Sequence, residues 1–143
     1  MTLNLASFHQ VDSGVFLAEF TTGDNFPINI FINTAGTKME EDAVVFANEY
    51  LAREMQIRQQ AAAQIFAEHD YVKDELEHTT ADELLKALEP GALTILWQWQ
   101  ETRMVYFSPL DDLESCGEKY VILVCYDGSS HELEINLEQA SDW

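Results

Sequence analysis

From Thr37 to His69 the chain contains neither proline nor glycine, and on both sides of that stretch apolar residues alternate with polar ones. A helical period flanked by periods of two leaves few choices, because each apolar face must be buried against another element. In the middle stretch Ala43, Ala47, Tyr50, Leu51, Ala61, Ala62, Ile65 and Phe66 share one broad face. Gln56, Gln59, Gln60 and Gln64 fall on the other. Thr37-Lys38-Met39-Glu40 matches a capping box, which places the helix start there. Glu40, Glu41 and Asp42 follow in the first turn, where negative charge complements the helix dipole. A helix of about thirty residues is long for a globular domain, so a break near Arg58 is expected. Thr80-Ala81-Asp82-Glu83 opens a shorter helix carrying Leu84, Leu85 and Leu88, with Pro90-Gly91 as its stop.

The flanks read as strands. Residues 15–20 and 26–33 pair as a hairpin across Thr22-Gly23-Asp24-Asn25, with Ile28, Ile30 and Ile32 on one face. Residues 3–8 are expected as an edge strand. Leu93, Ile95, Trp97 and Trp99 alternate, Glu101-Thr102 turns the chain, and residues 103–107 pair back. Residues 119–127 are apolar on both faces, as in a strand covered on both sides. Asp127-Gly128 signals a hairpin into a last strand, where His131, Leu133, Ile135 and Leu137 alternate with Glu132, Glu134 and Asn136. The order β-β-α-α-β-β-β-β predicts a single α+β domain over residues 1–143. In it an antiparallel sheet packs against one long and one short helix.

Charge narrows the partner. Twenty-six acidic residues face seven basic ones, a formal charge of −19. Hydrophobic content of 47% separates the chain from disordered acidic sequences. Such a field repels nucleic acid and draws in basic protein surfaces. The apolar runs are too short to cross a membrane, and no secretory leader is recognisable at Met1-Thr2-Leu3-Asn4. Cys116 and Cys125 fit no metal or disulfide pattern, so two free thiols in a cytoplasmic protein are expected.

Catalytic signatures are missing. His9, His69, His78 and His131 form no i,i+4 pair, and six glycines stand singly rather than in a phosphate loop. Cys116 lies between Glu114 and Glu118, where acids raise a thiol pKa. The expectation is therefore a non-enzymatic binder with no cofactor, no metal and no nucleic-acid partner. Its expected contact residues are Asp111, Asp112, Glu114 and Glu118, followed by Asp70, Asp74, Glu75 and Glu77. Trp97 and Trp99 are expected in the core; exposed beside carboxylates they would instead anchor a partner.

The C-terminal half, over about residues 70–137, carries a helix, then Leu93-Thr94-Ile95-Leu96-Trp97. A strand ending Tyr106-Phe107, the acidic loop Leu110-Asp111-Asp112-Leu113 and the strand before Asp127-Gly128 complete it. This arrangement is similar to small bacterial domains encoded beside polymorphic toxins, and it resembles the highly acidic immunity proteins of contact-dependent growth inhibition systems. Those domains often have a glycine-histidine pair before the central strand, where this chain reads Cys116-Gly117-Glu118-Lys119. The resemblance implies a cytoplasmic antitoxin that occludes a basic nuclease or tRNA-targeting toxin, and it transfers no individual site residue. A nucleic-acid-mimicking inhibitor, a small enzyme and a scaffold domain are the alternatives.

Overall fold

A computed structural model describes residues 2–68, 80–107 and 120–139. Seven strands form one sheet in the order of the sequence: β1 (His9–Asp12), β2 (Val15–Thr21), β3 (Pro27–Asn33), β4 (Glu89–Leu96), β5 (Glu101–Phe107), β6 (Tyr120–Asp127) and β7 (Glu132–Gln139). Between β3 and β4 come α1 (Glu41–Ala52), α2 (Glu54–Glu68) and α3 (Ala81–Ala87). The architecture is α+β, with a mixed rather than antiparallel sheet. Every neighbouring pair is antiparallel except β3 and β4, which run parallel. The reason is the helical crossover, which returns the chain to the end of the sheet where β3 began.

The register explains the core. Ala18, Ile30, Leu93, Met104, Val124 and Ile135 stand side by side across six strands, and all six are buried. They join one apolar cluster with Ala43, Ala47 and Tyr50 of α1, Ile57, Ala61 and Ile65 of α2, and Leu84 of α3. Small alanines at 43, 47, 61 and 62 allow the helices to sit close against that row. The opposite face of the sheet contributes none of these residues. There the row Leu17, Phe31, Thr94, Arg103, Cys125 and Glu134 runs from apolar at β2 to acidic at β7.

Several local expectations are corrected. The long helix is two helices, divided at Arg53 rather than near Arg58. Residues 3–8 form no strand; Leu5–Ser7 is a 3₁₀ turn capped by Asn4, and the edge strand is β1. Glu40, not Thr37, is the N-cap of α1, and it makes no side-chain cap hydrogen bond. The Thr37 hydroxyl donates instead to the Thr34 carbonyl at 2.8 Å. Thr80 caps α3 as expected, accepting from Glu83 N at 3.2 Å. Pro90 and Gly91, however, lie inside β4 and the helix ends before them. Alternation beyond Leu96 continues into a 3₁₀ turn, Trp97–Trp99, closed by Gln100 in the left-handed region. Glu101 and Thr102 are therefore strand residues. His131 closes the last hairpin at φ 60 instead of sitting in β7.

The β1–β2 turn is fastened to the loop before α1. Gly14, at φ +69, offers its carbonyl to Thr34 N at 2.7 Å and to the Thr34 hydroxyl at 3.2 Å. A Cβ at residue 14 would strike the Gly36 amide nitrogen and come within 2.7 Å of Gly36 Cα. Both neighbours are backbone and cannot rotate away. Gly14→Ala is thus expected to destabilise the fold by about 1–3 kcal/mol, read as a lowered midpoint in urea. A midpoint equal to wild type would mean that this loop does not hold the two segments together.

Candidate functional site

At one end of the sheet two turns lie side by side. The Trp97–Gln100 turn joins β4 to β5, and the Gly128–His131 turn joins β6 to β7. They are linked by Gly128 N donating to the Gln100 carbonyl at 2.8 Å. Gln100 and His131 both adopt positive φ without being glycine, a conformation usually kept only where surroundings impose it. His131 Nδ1 lies 2.8 Å from the Tyr126 hydroxyl. The Arg53 guanidinium stacks over the same tyrosine, 5.3 Å from the ring centre.

The two tryptophans, expected together in the core, part company here. Trp97 is half-buried, tilted against Phe46 with ring centres 5.8 Å apart, and its Nε1–H points to Glu40 Oε2 at 3.4 Å. Trp99 is 61% exposed, more than any other large apolar residue among those described. A turn that must reverse within three residues cannot send both rings inward.

Beside Trp99 begins a row of carboxylates. Glu101, Asp127 and Glu132 stand directly opposite one another on β5, β6 and β7. Directly opposed side chains on adjacent strands have Cβ atoms about 4.5–5.5 Å apart, and like charges in that relation destabilise a sheet. Asp127 accepts from Ser129 N at 2.8 Å and Ser130 N at 3.3 Å. The Ser129 side chain and these amides hold its carboxyl below the usual range, so it stays ionised. Glu101, Asp127, Glu132 and Glu134 line a shallow groove of about 360 Å³ with Cys125, Tyr126 and Leu133. Arg103, 3.7 Å from Glu101, is the one cation in the outer-face row beside it.

Chemically this corner can bind but has no nucleophile in hand. Burial raises the Cys125 thiol, and the acids Glu101, Glu134 and Glu138 push the same way against Arg103. Among the described residues no three His, Cys, Asp or Glu side chains are grouped to hold a metal ion. Nor is any described helix long and apolar enough to cross a membrane.

The second charged cluster is internal. Arg58 and Glu54 are both buried, one turn apart on α2. The guanidinium donates from Nε to Glu54 Oε1 at 2.9 Å and from Nη2 to Glu54 Oε2 at 2.9 Å. Its Nη1 donates to Asp24 Oδ2 at 2.6 Å, in the β2–β3 turn. The Tyr106 hydroxyl donates to Glu54 Oε1 at 3.0 Å from β5. Burial, then the nearby Tyr50 and Glu54, push the Tyr106 hydroxyl far upward, so it remains a proton donor. Burial opposes the charge on Arg58, but the hydrogen bonds and charges of Asp24 and Glu54 outweigh it and raise its pKa. Every group in this cluster is engaged, and it ties helix, sheet and turn together.

The eight carboxylates singled out from sequence, Asp70, Asp74, Glu75, Glu77, Asp111, Asp112, Glu114 and Glu118, lie outside the described residues, as does Cys116. Sequence reasoning passed over Glu101, Asp127, Glu132 and Glu134 as turn formers or wet strand positions. The signal that finds them is register, which places acid opposite acid. No family model matches the chain, and no curated protein and no solved structure matches it either.

Proposed function

We propose that this chain is a cytoplasmic immunity protein that binds a basic toxin domain, a nuclease or tRNA-targeting enzyme, and blocks its active site or substrate surface. The observation that carries the reading is the exposed Trp99 beside a row of opposed carboxylates on a chain of net charge −19. A tryptophan supplies a rigid apolar anchor, and a charged rim steers the partner onto it. Opposed like charges work against folding, so their retention favours a role outside the fold. A mimic of duplex nucleic acid would present a longer file. The described row crosses two inter-strand gaps, about 10 Å in all, which makes mimicry the weaker reading.

The test is genetic and then biophysical. The basic protein encoded next to this chain in its native genome should arrest growth when expressed alone and be harmless when co-expressed with this chain. Trp99→Ala should weaken the purified complex tenfold or more in calorimetry while leaving the thermal midpoint unchanged, because the ring contributes little to the core. Arrest that co-expression does not relieve would overturn the immunity reading. Full affinity in the Trp99 variant would move the interface elsewhere.

A further inference from the structure

The two ends of the sheet differ. β1 has only four residues, and its pairing with β2 shifts register between Gln10 and Asp12. Short length and a bulge are the usual ways of blunting an edge against further pairing. β7 has eight residues and pairs with β6 without a shift, from Tyr120 opposite Gln139 to Asp127 opposite Glu132. Among the described residues no strand lies on its other side. A regular edge strand presents a row of backbone N–H and C=O groups that another strand can complete.

The side chains say which strand. Glu132 and Glu134 are exposed, and they continue the outer-face rows that hold Asp127 and Cys125. The Asn136 side-chain amide donates to Glu134 Oε1 at 3.3 Å, which steadies that carboxylate. On the inner face Leu133, Ile135 and Leu137 pack on the core, so the strand is held firmly from beneath. A second copy of β7 laid alongside would bring carboxylate against carboxylate, which is unfavourable. A strand with Lys or Arg at alternate positions would bring cations opposite those carboxylates, which is favourable. The edge thus discourages self-pairing and admits a basic strand.

We infer that β7 is the docking edge, and that a protein partner adds to it a β-strand whose outer-face side chains are Lys or Arg. This rests on the reading of the chain as a binder of a basic protein and specifies how the two join. Main-chain hydrogen bonds supply affinity along the strand, and the alternating cations supply selection.

The probe is a blocked peptide of alternating Lys and Val, matched in length to the eight residues of β7. Two controls go with it. One alternates Lys and Pro, with the same charge but no ability to form a strand; the other alternates Glu and Val. Full-length chain is titrated with each, with residue-resolved amide exchange as readout. The Lys-Val peptide should bind at least tenfold tighter than either control and slow exchange in β7 but not in β1. Glu132→Lys with Glu134→Lys should weaken it at least tenfold. Equal binding of the Lys-Val and Lys-Pro peptides, protection at β1 or nowhere, or a dimer of the chain alone with β7 amides already protected would each overturn the edge assignment. No toxin enters this assay, so its failure leaves the growth-rescue result standing, and the reverse holds equally.

Discussion

Arg58→Met is expected to lower the unfolding free energy by about 3–5 kcal/mol, the usual consequence of removing one partner from a buried ion pair. The variant keeps the side-chain volume but leaves the Glu54 carboxylate, 3% exposed, with the Tyr106 hydroxyl as its remaining hydrogen-bond donor among the contacts described above. A domain of this size has roughly 5–15 kcal/mol in total, so the loss is a large share of it. Adding Glu54→Gln should recover much of the loss, since a neutral amide can still accept from Tyr106 without a buried charge. Arg58→Lys should not rescue, because one ammonium cannot span two carboxylates on different elements. Urea midpoints of the two single variants and the double variant decide the matter. If Arg58→Met unfolds at the wild-type midpoint, the cluster is not what ties α2 to the β2–β3 turn.

The same cluster gives a pH signature with a definite sign. The Arg58 hydrogen bond is the main reason the Asp24 carboxyl lies below its ordinary 3.8, with Thr22 adding to it and burial opposing it. A depressed carboxyl adds stability that is complete above its unfolded value and disappears as pH falls through its folded value. The stability gap between wild type and Asp24→Asn should therefore be constant near neutrality and close below pH 3.8. The gap is the quantity to measure, because protonating other exposed acids relieves self-repulsion and moves both proteins together.

Much of the fold was legible because alternation reports which face of a strand is buried. The period of two puts Ile28, Ile30 and Ile32 on one face of their strand and Leu93 and Ile95 on one face of theirs, and all five are buried. Alternation does not report direction, so the parallel pairing of β3 with β4 was invisible. It also does not report where a strand stops. Trp97 and Trp99 keep the period of two through a turn whose left-handed residue is Gln100, with no glycine or asparagine to mark it. β1 escaped notice because all four of its residues are exposed and carry no pattern. Glu54 and Arg58, four apart on a helix, have the spacing of an ordinary surface pair. Two partners distant in sequence, Asp24 on Arg58 and Tyr106 on Glu54, show that the pair faces inward. The acidic corner was hidden for a related reason: Glu101 is far in sequence from the Asp127–Glu132 hairpin pair and meets it only through register.

That corner sets stability against association. Reversing Glu101, Glu132 and Glu134 together to lysine should raise the thermal midpoint and slow capture of a basic partner. Stability rises because Asp127 would then face opposite charges at residues 101 and 132, in place of two like-charged pairs, which outweighs giving up the exposed 3.7 Å contact of Glu101 with Arg103. Cross-strand pairs of this kind contribute roughly 0.2–1 kcal/mol each, enough for a few degrees in a chain of this size. Association slows because steering by a concentrated field accelerates encounter by about 10–10³-fold, and the reversal removes it at the proposed contact. Stopped-flow mixing with the cognate basic protein at low salt should show a loss of about 10²-fold, shrinking as salt is added. A fold maintained for stability alone would gain from the reversal and lose nothing. A higher midpoint joined to a slower, less salt-sensitive association would identify the row as a surface kept for its partner. A lower midpoint would mean that these acids serve the sheet itself, and the interface would then have to lie among other carboxylates.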